Sequence, residues 1–414
     1  MPPAPIPIGD GRSSTAAFRP ADLDSLREVV RDQVAAGEAI YPQGGGTALD
    51  YGGIPARPGV AVDTRSLDRL IDYPAADMTI TIEAGMTLAA LRSILDGQGQ
   101  RLLIDAPNPD RATLGAIYAT NTSGPRRFGW GRPRDQIIGV AFVTSDGALV
   151  HGGGRVVKNV AGYDFPRLLT GSMGTLGVLA QLTLKVRPKP EATAIAWVPM
   201  PDPSAIADRL DALNTSSTRP VAIELLNAPA AAVVGRLAGV GLPAEAPALV
   251  VGFEDNADSV RWQLERLGAE VGVTDRTIVE GESARSLWDA LTAFQAEAPG
   301  PLSFVANVRP SSVATMVQSL DPSRWAAQAH AGNGIVRAHA LGDWTSNEAE
   351  AAIAPLRARA VQDGGNLILS RCPTDWKTRL RVWGEPRADW AIAERIRAAL
   401  DPHQSMNPGR FVVG

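Results

Sequence analysis

"YPQGGGTALDYGG", Tyr41 to Gly53, places five glycines in thirteen residues, directly after a helical stretch and a short apolar run. Three adjacent glycines, Gly44 to Gly46, can turn several backbone N–H groups toward one point and so cradle an anion with amide dipoles. The loop contains no lysine or arginine, so phosphate held here would be held by main chain. It is not a P-loop, because no Gly-Lys-Ser/Thr follows, and no G-x-G-x-x-G opens a helix after it. Taken alone, such a loop also fits a surface turn, and its neighbours have to decide.

Upstream, "ADLDSLREVVRDQVAAGEAIYPQ" puts Leu23, Leu26, Val29, Val30 and Val34 on one helical face, with Gly37 as a stop and Ala39 to Tyr41 as a short strand. Downstream, "MTITIEAG" alternates Met78, Ile80, Ile82 and Ala84 with Thr79, Thr81 and Glu83, and "TLAALRSILDGQG" reads as a helix opened by Thr87. A second small-residue zone, "TLGAIYATNTSGPRRFGWG", would let backbone approach a flat ligand closely. "GTLGVLAQLTLKVRPKP" is a further strand, ended by Arg187-Pro188. From there to about residue 375, helical stretches ("SAIADRLDALN", "ADSVRWQLERLGAEV") mix with strands ("PALVVGFE", "LSFVANVRP"), the pattern of a separate α+β domain. A last helix around Trp390, Ala393, Ile396 and Leu400 stops at Asp401-Pro402.

Composition narrows the function classes. The chain has 414 residues, 45% hydrophobic and 20% charged, enough for two or three domains with sizeable cores. A formal net charge of −4 argues against a nucleic-acid surface or a polybasic membrane patch. The single cysteine, Cys372, cannot form an internal disulfide or ligate an iron–sulfur cluster by itself. No start segment resembles a signal peptide and no stretch reaches about 18 uninterrupted apolar residues, so the chain reads as cytoplasmic without a membrane span. The four histidines, His151, His330, His339 and His403, lack the spacing of a local metal motif, and no metal site is expected.

The string "GGRVVKNVAGYDFPRLLTGSMGTLGV", Gly153 to Val178, is the most specific in the sequence. Here the chain resembles flavoproteins of the vanillyl-alcohol oxidase and PCMH class, and within it the FAD-binding E subunits of bacterial glycolate oxidases. "PQGGGT", "ATLGAIYATNTSG", "RFGWGRPRDQIIG", "KNVAGYD", "TGSMGTLGV" and a terminal "NPGRF" follow that family's order. The likeness is strong to about residue 190 and again at 401–411, and thin between. It implies an α+β architecture: a two-part PCMH-type FAD-binding domain over residues 10–190, a smaller α+β cap or substrate domain over 191–375, and a C-terminal segment, 376–414, packing back on the FAD domain.

The resemblance further implies a cofactor site. Pro42 sets the entry of the loop, and the amides of Gly44, Gly45, Gly46 and Thr47 take the FAD diphosphate. Thr113, Leu114, Gly115, Asn121, Ser123 and Gly124 line the diphosphate and flavin side, with Gly131 against the ring. Gly177 and Val178 meet the adenine end through backbone, and Asn407 returns to the flavin edge with Arg410 nearby. Asn159 would hydrogen-bond the cofactor and Lys158 lend charge to reduced flavin or an acid substrate, although Lys158 and Asp164 could equally organise a turn. Covalent attachment in this class uses histidine, or histidine and cysteine, and residues 42–53 contain neither, so FAD should be bound non-covalently.

Oxidation of a 2-hydroxy acid needs a cation for the carboxylate, a base for the hydroxyl and the flavin as acceptor. On "LSFVANVRP" the period-two rule puts Asn307 and Arg309 on one face, and "HAGNGIVRAH" offers His330, Asn333 and Arg337. A strand arginine is more often solvated or ion-paired, and a lone His330 more often a local hydrogen-bonding residue than a base. The metal-binding histidine pair common in related catalytic subunits is missing. By resemblance the chain works in a glycolate oxidase complex with a second flavin subunit and an iron–sulfur subunit, oxidising glycolate to glyoxylate. A stand-alone FAD-dependent oxidoreductase for another hydroxy acid or alcohol, and a non-catalytic FAD-holding scaffold or electron relay, remain open.

Overall fold

Strand β1 (Ala17–Phe18) leads to Asp22, whose carboxylate accepts the Ser25 amide at 2.8 Å and starts helix α1 (Leu23–Ala35). The helix turns Leu26 and Val30 inward, and Gly37, at φ +83°, reverses the chain into β2 (Ala39–Gln43). Strands β1 and β2 flank β3 (Gly59–Asp63) in a parallel three-stranded sheet ordered β1-β3-β2. Parallel strands need cover on both faces, and all five residues of β3 are buried. This computed structural model describes residues 4–154, 162–273 and 275–412. Lys158 and Asn159 lie outside the described residues.

The next elements are β4 (Leu70–Asp72), β5 (Thr79–Glu83), α2 (Leu88–Asp96), α3 (Leu114–Thr120), β6 (Ile137–Val143), β7 (Leu149–Gly153) and β8 (Val178–Lys185). They form an antiparallel sheet ordered β7-β6-β8-β5-β4, with α2 and α3 packed on its apolar core. Thr87 and Thr113 cap the two helices by accepting the amides of Ala90 and Ala116. The polar positions of β5 are buried as well. The Thr81 and Thr183 hydroxyls meet at 3.1 Å across the ladder, and the fully buried Glu83 is held by Arg69.

Contacts divide the chain into two units: Met1–Ser123 with Arg132–Lys189 and Lys377–Gly414, and Gly124–Gly131 with Pro190–Trp376. In the first, the C-terminal helix Trp390–Leu400 lays Ile396 and Leu400 against the β4–β8 core. Asp401 then accepts the amides of Ser405 and Met406, and Met406 bridges to Ile40, extending the parallel sheet.

The second unit is one antiparallel sheet of eight strands: β9 (Ala192–Pro199), β10 (Ala222–Leu226), β11 (Ala248–Asp255), β12 (Thr277–Glu280), β13 (Ser303–Asn307), β14 (Trp325–His330), β15 (Ile335–Ala340) and β16 (Asn366–Arg371). Their order is β12-β9-β11-β10-β14-β15-β13-β16. Helices α4 (Ala228–Ala238) and α5 (Gly281–Ala293) close over Trp197, Val250 and Ala326 on one face. Residues Gly124–Gly131 were expected to follow the FAD-binding motifs around them, yet they pack in this unit. Arg126 Nε donates to Glu254 at 2.7 Å with its guanidinium 4.2 Å from the Trp288 ring, and Trp130 Nε1 donates to the same carboxylate. A Cβ on Gly129 would come within 2.7 Å of Val221 Cα, so the segment lies flat on β10.

Candidate functional site

In the first unit, the loop after β2, helix α3 and the 173–179 turn surround a cleft of about 840 Å³, counting its open mouth. Among the residues singled out for FAD, Pro42, Gly44, Gly46, Thr47, Gly115, Gly177, Val178 and Asn407 line it, and among the described residues Arg410 is the one charged residue on its wall. The amides of Gly44 to Thr47 donate to no protein acceptor among the described residues, and Gln43 Oε1 is buried without a partner. One wall is formed by Gly115, Ala116 and Ala119 of α3, where short side chains leave room. A row of unpaired amides, a guanidinium and a small-residue wall fit a dinucleotide diphosphate and a flat ring system.

The triple glycine earns its composition from the neighbouring loop as much as from an anion. A Cβ on Gly45 would stand 1.7 Å from the Arg111 carbonyl oxygen, and one on Gly44 2.0 Å from Thr113 Oγ1. Only Gly46 of the three has positive φ, +68°. Gly45 and Thr113 are therefore in the packing that shapes the cradle, outside its lining, as are Leu114, Asn121 and Ser123. Asn121 caps α3 at φ +54°, and Leu114 and Ser123 are buried. Gly124 and Gly131 belong by their contacts to the second unit.

Asn407 ties three parts of the cleft together. Its amide donates to the Ile40 carbonyl at 2.7 Å and its Nδ2 to the Met173 carbonyl at 2.5 Å. Arg410 donates from Nη1 to Asp10 and to the Gly53 carbonyl, and from Nη2 to the Leu49 carbonyl. Burial pushes Arg410 below the ordinary arginine value, and Asp10 opposes that shift.

In the second unit, the sheet register gathers four polar side chains on one face. Glu224 of β10 stands opposite His330 of β14, and Gln328, two residues back, stands opposite Arg337 of β15. His330 Nδ1 lies 2.8 Å from Glu224 Oε1, and Gln328 Nε2 donates to Oε2 at 2.7 Å. Glu224, Gln328 and His330 are buried, Arg337 half-buried. His330 Nε2 and Gln328 Oε1 find no partner among the described residues. Nδ1 faces the carboxylate, so Nε2 is the ring atom left for a further partner. Among the described residues, no three His, Cys, Asp or Glu side chains gather where they could hold a metal ion.

Arg309 does not share a strand face with Asn307. Strand β13 ends at Asn307, whose Nδ2 donates to Asn366 Oδ1 at 2.7 Å, and the Val308 amide makes one last bond in register with β15, to the Gly334 carbonyl. Pro310, lacking an N–H for the ladder, then opens a single 3₁₀ turn, leaving Arg309 exposed at its start. Sequence reasoning missed Glu224, Gln328, Asp10 and Lys377. Glu224 carried a signal, an acid between Ile223 and Leu225 in an apolar run. The other three carried none.

Comparison with known proteins accords with this geometry. Residues 14–153 match the model of an FAD binding domain, and residues 189–350 match the C-terminal domain of FAD linked oxidases. The chain is 25% identical to glycolate oxidase subunit GlcD of Bacillus subtilis, over 96% of this chain and 88% of that protein. It is 27% identical to the mitochondrial D-lactate dehydrogenase [cytochrome] of Arabidopsis thaliana, over 90% and 69%. A shorter match, 38% identical over 136 residues, joins it to glycolate oxidase subunit GlcE of Escherichia coli, covering 33% of this chain and 39% of that one. An alkyldihydroxyacetonephosphate synthase structure superimposes with a TM-score of 0.70 at 17% identity, over 96% of this chain and 76% of that one, a likeness of fold alone. Among the described residues no helix is long and apolar enough to cross a membrane. The chain is thus an FAD-dependent oxidoreductase of PCMH-type fold, a member of the FAD-linked oxidase family.

Proposed function

We propose that this chain is the FAD-binding, E-type subunit of a glycolate oxidase complex, acting on a small 2-hydroxy acid beside a second flavin subunit and an iron–sulfur subunit. The observation that carries the substrate class is the names of the similar proteins, which specify glycolate, D-lactate and D-2-hydroxyglutarate, all 2-hydroxy acids. The E-type reading rests on the order of the sequence motifs and on the short match of 136 residues, beside a match to a D-type subunit over 96% of the chain. When bound, FAD supplies the two-electron acceptor that the side chains lack. The cradle amides and Arg410 hold its diphosphate, and the absence of histidine and cysteine from residues 42–53 supports a non-covalent complex. Lys158 and Asn159 keep the roles the motif implies.

In the second unit, Arg337 supplies the cation for a substrate carboxylate, and His330, its Nδ1 fixed by Glu224, offers Nε2 for the hydroxyl proton. Arg309, exposed beyond the strand, has the weaker claim. A lone cysteine cannot hold a cluster, so electrons leave through the iron–sulfur partner.

The test starts with purified chain under anaerobic conditions. Yellow protein that stays oxidised with glycolate alone, and bleaches once the partner subunits are added, supports the proposal. Bleaching by the chain alone moves it to a stand-alone oxidoreductase. An assembled complex whose glycolate kinetics are unchanged by Arg337→Met marks the chain as a scaffold or relay.

A further inference from the structure

The stretch that follows the amide cradle, Leu49 to Gly53, is held by a row of bonds to its carbonyls. Lys377 Nζ donates to the Asp50 carbonyl at 2.6 Å and to the Gly52 carbonyl at 2.9 Å. Arg410 takes the carbonyls of Leu49 and Gly53. Asp10 joins the two cations, with Oδ1 2.6 Å from Lys377 Nζ and Oδ2 2.5 Å from Arg410 Nη1. The side chains of Lys377, Arg410 and Asp10 are 2%, 5% and 1% exposed. Three acceptors meet the three protons of the ammonium group, so Lys377 is fully used by the loop and by Asp10. Only Arg410 of the three lines the cleft.

A loop with five glycines in thirteen residues loses more conformational freedom on ordering than a loop poorer in glycine would. Charge-assisted bonds to the carbonyls of Leu49, Asp50, Gly52 and Gly53 offset that loss and fix the stretch that follows the cradle, while the amides of Gly44 to Thr47 stay available for an anion. Two buried cations against one buried carboxylate also leave a formal charge of +1 beside the cleft, with Asp50, an exposed acid, accepting the Asp10 amide at 2.9 Å. Lys377 opens the last segment of the first unit, so the chain is fastened to the cradle at the residue where it returns.

We infer that Lys377 and Asp10 are positioning residues for FAD: through the loop carbonyls and Arg410 they hold the cradle in the conformation that receives the diphosphate, without touching the cofactor. This rests on FAD binding and is independent of which acid is oxidised, so its failure leaves the 2-hydroxy acid reading intact.

The experiment titrates deflavinated full-length protein with FAD and melts it with and without FAD. Lys377→Met keeps the stem and removes the ammonium group. The dissociation constant should weaken about tenfold or more, the FAD-induced rise in Tm should shrink, and Lys377→Arg should recover part of both. An unchanged dissociation constant, with Tm lowered equally with and without FAD, would mean that Lys377 serves stability only and would overturn the inference. Should Lys377→Met fail to fold, Asp10→Asn decides. It adds net positive charge, so attraction alone makes FAD bind tighter, whereas loss of positioning makes it bind more weakly. Weaker binding sustains the inference, and equal or tighter binding refutes it.

Discussion

Two buried ionic clusters, one in each unit, use similar residues to opposite ends. In the first unit, Lys377, Asp10 and Arg410 spend their donors and acceptors on one another and on loop carbonyls. In the second, Glu224 is bonded to His330 and Gln328, yet His330 Nε2 and Gln328 Oε1 have no partner among the described residues. A buried polar atom without a partner costs about 1–3 kcal/mol, so a fold keeps one where something else is served. The closed cluster behaves as a fastener and shapes a site that only its Arg410 lines. The open one holds its reactive atoms in reserve.

The sharpest way to break this contrast is to disturb the cradle while leaving its fastener intact. Gly45→Val drives a Cβ into the Arg111 carbonyl, which is main chain and cannot swing aside. Flavin absorbance of the purified protein should vanish, while the second unit, which carries most of the tryptophans, should still unfold cooperatively in urea by its fluorescence. Retention of normal flavin would show that the Gly44–Gly46 stretch is only a turn.

Emptying the open cluster comes next. Glu224→Leu strands His330 Nδ1 and the Gln328 amide group in the sheet interior, and should cost the second unit about 3 kcal/mol in urea unfolding, with flavin content unchanged. A loss below about 1 kcal/mol would mean that water already satisfies this cluster.

A third test, on a histidine, separates burial from ion pairing. His339 on β15 meets the Ser303 hydroxyl through Nδ1 and the Phe294 carbonyl through Nε2, and burial lowers its pKa from 6.5 to about 4. The folded state thus resists a proton that the unfolded state accepts. Above pH 6.5 both states are neutral and nothing is lost. As the pH falls from 6.5 to about 4, stability declines by about 3 kcal/mol and then levels off. Urea midpoints measured across this range should fall for the native chain and much less for His339→Gln.

How far the sequence foretold these sites follows from the range over which each residue acts. The glycine motifs, the Thr87 cap and the alternation of β5 and β8 depend on neighbours within a few positions, and they were legible. The docking of Gly124–Gly131 depends on Glu254 and Trp288, more than a hundred residues away, and its sequence, lying between two FAD motifs, gave no hint of a second-unit partner. Lys377 sits in "TDWKTRL", indistinguishable from a solvated helix lysine until its acceptors at Asp10, Asp50 and Gly52 are known. Period-two reasoning failed at Arg309 because it assumed the strand continued, whereas the last ladder bond is made by the Val308 amide and Pro310, without an N–H, opens a 3₁₀ turn.

Arg309 therefore supplies the smallest expected effect and a useful control. Its side chain is exposed, so Arg309→Met should change the stability of the second unit by less than about 0.5 kcal/mol. Arg337, half-buried and directly across the ladder from Gln328, sits in the polar patch itself. If carboxylate recognition belongs to that patch, Arg337→Met should raise KM for glycolate in the assembled complex by about tenfold or more, as loss of a charged hydrogen bond requires, while Arg309→Met leaves KM within about twofold. Equal and large KM effects from both arginines would place recognition at the exposed end of β13 as well as on the sheet face. An effect from Arg309 alone would reverse the assignment and leave the open cluster around His330 as a structural core.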